Sequence, residues 1–168
     1  MNDKHLLTSD EKIKNWGYGE WVEEPDVIEF EHKGFKCKVK RCFANELSGH
    51  LFGGHLCGYV CVPKENPKHG KDVFEEFDGI DVHGGLTYGK FEDEEYWIGF
   101  DCAHSGDICP SAEVFNKIMI LPKFLKELEV KLNTSHNFNG SYKNIGFVIE
   151  ECKRLAEQLA KNIYPVYT

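Results

Sequence analysis

Residues 145–163 repeat apolar side chains at a helical spacing, and that stripe limits how the rest of the chain can be arranged. Ile145, Val148, Cys152, Leu155, Leu159 and Ile163 recur three and four apart, the period of one face of an α-helix. Glu150, Lys153, Arg154, Glu157, Gln158 and Lys161 fill the other face. A helix of about four to five turns with a single apolar stripe must bury that stripe against a second layer.

The segments before it are patterned as strands and supply that layer. In "DVIEFEHKGFKCKVKRCF", Val27, Glu29 and Glu31 alternate with Ile28, Phe30 and His32. After Lys33-Gly34, Phe35, Cys37 and Val39 alternate with lysines. Period two on both sides of a Gly-containing turn predicts an antiparallel hairpin. A more buried strand is expected over about 56–62, ended by Pro63 and followed by the loop "KENPKHGKD". A second hairpin is expected within "GIDVHGGLTYGKFEDEEYWIGFDCAH", turning near Glu92. It would place Ile80, Val82, Ile98 and Phe100 on one face, with Asp81, His83 and Asp101 on the other and His83 opposite Asp101. "TSDEKIKNW" offers Thr8 and Glu11 as a capping box for a short first helix. Two short helices, broken at Pro122, are expected between 111 and 131. The predicted fold is α+β, a single domain over 1–168: an antiparallel sheet of hairpins with the long C-terminal helix packed on one face.

Bulk composition excludes some partners. The chain carries 28 acidic against 20 basic residues, a formal charge of −8. A nucleic-acid backbone needs a basic footprint, so nucleic acid is not an expected partner. Lysines interleaved with the acids also argue against a mimic of DNA. The seven cysteines are an odd number, and they fall in strand-like or turn contexts. "MNDKHLLTSDEK" is too polar for a signal peptide, and no apolar run approaches the roughly 18 residues of a membrane span. The expectation is a cytoplasmic protein with reduced thiols and no membrane partner.

The chemistry-bearing residues gather in "WIGFDCAHSGD" and "DVHGGLTY". Short acids, an imidazole and glycines on one sheet face leave room above it and suit the floor of a pocket. Asp81, His83, Asp101, His104 and Asp107 offer carboxylate oxygen and imidazole nitrogen, a donor set for a divalent transition metal, zinc or manganese. Such an ion supports hydrolysis. In its absence His83 or His104, oriented by Asp101, reads as a general base. Asp101, His104 and His83 are therefore the candidate catalytic residues. Gly84 and Gly85 would present backbone amides to an anion and Thr87 a hydroxyl. The same stretch also reads as a structural turn, with Asp101 capping the residues after it. Cys57 and Cys61, about 13 Å apart by strand rise, are too distant to share a zinc and read as core thiols. Cys102 is a weaker nucleophile candidate, because its parity with Phe100 points it into the core.

With "CGYVCVP", "DVHGGLTY", "WIGFDCAHSGD" and "IGFVIEECKRLAEQLA" in view, the chain resembles a family of small bacteriophage- and prophage-encoded proteins. The likeness covers roughly 50–110 and 142–160. It implies a phage accessory protein in the cytoplasm of a bacterial host, of the kind that counters host defence by cleaving or sequestering nucleotide signals. The expected function is a metal-assisted hydrolase acting on a nucleotide-like or phosphorylated small molecule. A non-catalytic protein that sequesters such a ligand is the alternative, and an acidic protein-binding inhibitor the third. A homo-oligomer remains open.

Overall fold

The computed structural model describes residues 6–47, 50–112 and 140–163. Within them the chain runs through α1 (Ser9–Trp16), a 3-10 turn (Glu20–Val22), β1 (Val27–His32), β2 (Phe35–Leu47), β3 (His50–Val62), β4 (Tyr88–Glu92), β5 (Glu95–Asp101) and α2 (Ile145–Ile163). The strands form one antiparallel sheet in the order β1-β2-β3-β5-β4. One face of it is covered by α2, so the fold is α+β, as the patterning predicts. Among the described residues no helix is long and apolar enough to cross a membrane.

Local chemistry explains most boundaries. The Thr8 hydroxyl accepts from the Glu11 amide at 3.2 Å and the Glu11 carboxylate accepts from the Thr8 amide at 2.9 Å, a complete capping box. The first hairpin turns at Lys33 and Gly34, with φ of 53° and 80°. The second turns at Asp93 and Glu94, with φ of 45° and 69°. Two residues with positive φ match the twist of the flanking strands. The pair Glu92↔Glu95 closes this turn just beyond the expected centre.

Residues 80–83 are a correction. They form no strand, and His83 is not the cross-strand partner of Asp101, which pairs with Cys57. Gly84 and Gly85, at φ 68° and 83°, turn the chain, and the Gly85 amide closes the turn on Val82 O at 3.0 Å. The extended run before them is bonded to helix side chains where a strand would have been. Gln158 Oε1 accepts from the Asp81 amide and Glu151 Oε2 from the His83 amide, both at 2.8 Å. Donors two residues apart in an extended chain thus meet acceptors two helical turns apart on α2. The alternation seen in the sequence survives, with Val82 buried and Asp81 exposed.

The third strand begins earlier than expected, at His50. A register shift between Cys42 and Phe43 inserts a bulge at Gly53-Gly54, where φ is 103° and 91°. The two short helices expected between 111 and 131 lie outside the described residues.

The main core joins sheet and helix. Val39, Leu56, Val60, Ile98 and Phe100 meet Val148, Cys152, Leu155 and Leu159, all essentially without solvent exposure. Gly58 is where α2 comes closest, since a Cβ there would lie 2.4 Å from the Phe100 ring and 2.7 Å from Cys152 Sγ. Cys102 is buried in this core as its parity predicts. Burial holds its thiol up to about 12, which makes it a packing residue rather than a nucleophile. A second, smaller core of Trp16, Trp21 and Val22 packs with Phe43, Leu51, Ile108 and Tyr142 at the bulged end of the sheet.

Between the two cores lies Arg41, 2% exposed. Its Nε donates to Asp26 Oδ1 at 2.8 Å, and its Nη1 to Gly54 O at 2.8 Å and to the Tyr142 hydroxyl at 2.9 Å. Nη2 donates to Glu24 Oε2 at 3.0 Å. Lys12, also buried, pairs with Asp26 at 2.9 Å, which balances two cations against two anions.

Two substitutions separate apolar packing from this polar junction. Leu155→Ala is expected to cost about 2–5 kcal/mol in urea unfolding through the cavity it leaves under α2. Arg41→Ala is expected to cost about 3–5 kcal/mol, because Glu24 and Asp26 keep buried charge without their main partner. A loss under about 1 kcal/mol in either variant would contradict this account.

Candidate metal centre

The turn at 82–85 and the loop after β5 bring three of the sequence-identified side chains together beside the N-terminal half of α2. Donor atoms of His83, His104 and Asp107 all lie within 4.8 Å of one another. Asp107 has a side chain only 2% exposed. Its Oδ2 accepts from the His104 amide at 3.0 Å, a contact that ties the loop back on itself. Asp107 also lies against Ser141 in a short parallel bridge, with the Ile108 amide donating to Ser141 O at 3.1 Å. His83 Nε2 lies 2.8 Å from Asp107 Oδ2, and the His83 ring meets Phe147 of α2 edge-on at 5.3 Å.

His104 is held differently. Its imidazole lies directly against Gly84, where a Cβ would fall 2.1 Å from Cε1. Its Nδ1 is buried and makes no hydrogen bond among the described residues. The nearest acceptors are Asp101 Oδ1 at 3.6 Å and Asp107 Oδ2 at 3.7 Å. These separations are close to the roughly 3.3 Å between neighbouring ligands around an ion with bonds near 2.1 Å. A buried polar atom without a partner is costly, and a cation among these four groups would satisfy it.

Asp101 stands beside the group. Its Oδ1 accepts from the Ala103 amide at 3.0 Å and its Oδ2 from the Thr87 hydroxyl at 2.9 Å. It therefore also caps the turn after β5, while each oxygen keeps a further lone pair. Asp81 is not brought to the group. It is exposed and paired with Arg154 at 2.6 Å. The remaining sequence-identified residues act as supports. The Gly85 amide is used within its own turn, Thr87 is bonded to Asp101, and Gly84 makes room for an imidazole. Two contributors were not singled out from the sequence. Glu151 binds the His83 amide, and Lys143 Nζ lies 3.8 Å from Asp107 Oδ1. Neither sits near the motif in the chain, so only the docking of α2 reveals them.

A second group was also missed. Cys42, His55 and Cys57 have donor atoms within 4.8 Å of one another, on the sheet face that α2 does not cover. Cys57 and Cys61 are both buried, as expected of core thiols, and Cys57 also meets Cys42 across the ladder at 3.0 Å. Cys42 is registered with His55, one pair along from Arg41↔Leu56 and two from Lys40↔Cys57. Burial pushes His55 below the ordinary imidazole range, which keeps it neutral near pH 7, the form that ligates metals. The one signal in the sequence was the glycine pair 53–54 inside a strand, a mark of a bulge.

Comparison with protein-family models, curated proteins and solved structures finds no match to this chain.

The packing of His104 on Gly84 gives a paired test. Gly85→Ala meets no atom within 4 Å and should cost only the roughly 1–2 kcal/mol of a left-handed alanine. Gly84→Ala should cost about 1–3 kcal/mol more, and should shift the His104 ring resonances in an NMR spectrum that Gly85→Ala leaves unchanged. Equal costs with an undisturbed His104 would show that the imidazole does not rest there.

Proposed function

We propose that the protein is a divalent-metal-dependent hydrolase of a small phosphorylated or nucleotide-like molecule, with His83, His104 and Asp107 as ligands. The observation that supports this reading most is the buried His104 Nδ1, which faces two carboxylates at just over hydrogen-bond distance. Two imidazoles and one carboxylate suit zinc or manganese. A divalent ion bound there supplies Lewis acidity to a substrate oxygen.

The chain's own residues do the rest. Asp101, with a side chain 30% exposed, is open to water beside the ligand set. It is positioned to take a proton from an attacking water molecule, while the Thr87 hydroxyl holds its second oxygen in place. Asp107 is almost wholly shielded and orients His83. Lys143 stands at the edge of the group and offers positive charge to a phosphate. The resemblance to phage-encoded proteins rests on the sequence alone. In that setting the substrate would be a nucleotide signal of the host, and hydrolysis would silence it.

Metal titration and turnover on the same protein test the reading. Untagged wild type should take up one equivalent of manganese with a rise in melting temperature that grows with metal concentration. His104→Ala should lose that uptake at this site and keep its fold. Asp101→Asn should keep the metal and lower hydrolysis of a phosphorylated small-molecule panel by about 10²–10⁴-fold. Metal-independent stability in wild type, together with undiminished turnover in chelator, would overturn the proposal. Stabilisation by a nucleotide without its hydrolysis would replace it with the sequestering alternative.

A further inference from the structure

The open face of the sheet holds the strongest unassigned constellation. Cys57 Sγ lies 3.0 Å from Cys42 Sγ, and His55 completes a group of three donors within 4.8 Å. All three come from the two central strands, β2 and β3, immediately beside the Gly53-Gly54 bulge. From the geometry we infer that Cys42, His55 and Cys57 form a second metal site, a thiolate–imidazole site for zinc that clamps the bulge. The inference does not rest on the hydrolase reading, which uses other residues.

Three arguments carry it. The first is donor chemistry. Two sulfurs and one imidazole select a soft or borderline ion, whereas the His83–His104–Asp107 group has no sulfur. The second is the presence of His55. Two thiols at 3.0 Å are about 1 Å from a disulfide bond length. They are about 0.8 Å from the separation of two sulfurs on one zinc with bonds near 2.3 Å. A disulfide has no use for an imidazole beside it, and a zinc does. The third is the surrounding support. Cys109 Sγ lies 3.8 Å from His55 Nδ1 and donates to Gly53 O at 3.1 Å, a neighbour able to orient the ring. Gly53 N–H donates to Ser111 Oγ at 2.9 Å, and Arg41 holds Gly54 O. The bulge is therefore fixed on its other contacts, and the site faces a prepared backbone.

Binding is an ionisation followed by coordination. Two S–H bonds break, two protons go to solvent, and two Zn–S bonds and one Zn–N bond form. The dication with two thiolates and a neutral imidazole has no net charge, which suits a place where Cys57 is 5% exposed. A three-ligand site also leaves a fourth position for water.

Cobalt substitution of full-length, untagged, reduced protein reads the sulfur ligands directly. Wild type should show saturable thiolate-to-cobalt charge-transfer absorption in the near ultraviolet that zinc displaces. The double variant Cys42→Ser, Cys57→Ser should lose that band completely. His55→Ala should weaken cobalt binding about tenfold or more. His104→Ala should leave the band intact, which separates this site from the hydrolytic one. Zinc should raise the melting temperature of wild type more than that of the double variant. The inference is overturned if reduced wild type gives no charge-transfer band, or if the band survives in the double variant. It is also overturned if reduced protein fails to bind cobalt while peptide mapping of air-exposed protein shows a Cys42–Cys57 disulfide, since the pair would then be redox-active.

Discussion

The guanidinium of Arg41 is the junction on which the rest of the structure depends. The residue is 2% exposed between the two cores and is bonded to Asp26, Glu24, Tyr142 and the backbone of Gly54. The partners come from three pieces of chain: Glu24 and Asp26 before β1, Gly54 in β3 and Tyr142 before α2. Asp26 also accepts from the Leu7 amide and pairs with Lys12, which ties down α1. Glu24 accepts from the Ile145 amide at 2.8 Å and so holds the first turn of α2. A buried charge must be fully paired to be tolerated, so this one residue fixes the relative positions of its partners. Removing Asp26 or Glu24 leaves an uncompensated charge.

The candidate metal centre is downstream of that junction. Tyr142, bonded to Arg41, precedes Lys143 and follows Ser141, which pairs with the loop carrying Asp107. The helix that begins at Ile145 then supplies Phe147 against His83 and Glu151 to the His83 amide. On the other side Arg41 binds Gly54 O at the bulge that lies beside Cys42 and His55. One buried polar network therefore positions both donor groups. Asp101 lies between them, paired with Cys57 across the ladder and 3.6 Å from His104.

The two faces of the sheet have different physical tasks. The face under α2 is aliphatic and aromatic, and its burial supplies most of the drive to fold. The opposite face carries thiols, an imidazole and charged groups. Trp97 is nevertheless 7% exposed, with Lys38 stacked over its ring at 4.4 Å and paired with Glu92 at 3.1 Å. Lys38, one of the lysines that alternate with apolar residues on β2, thus covers apolar surface, as long cationic side chains do.

What the sequence determined by itself is whatever depends on neighbours in the chain. Helical spacing at Val148, Cys152, Leu155 and Leu159, period two in β1, β2 and β5, and the capping box at Thr8 and Glu11 are local patterns, and all describe the structure. The set His83, Asp101, His104 and Asp107 was legible because short polar residues at the end of an apolar strand are chemically conspicuous. The route that joins them was not legible. His83 reaches the group through a glycine turn and the side chains of α2, not through a strand register. Nothing near residue 83 in the chain encodes Glu151 or Gln158. The Cys42–His55–Cys57 group is wholly a product of tertiary structure. Its members meet because β2 and β3 pair with Cys42 opposite His55 and Lys40 opposite Cys57, and cross-strand register is set by packing over the whole sheet.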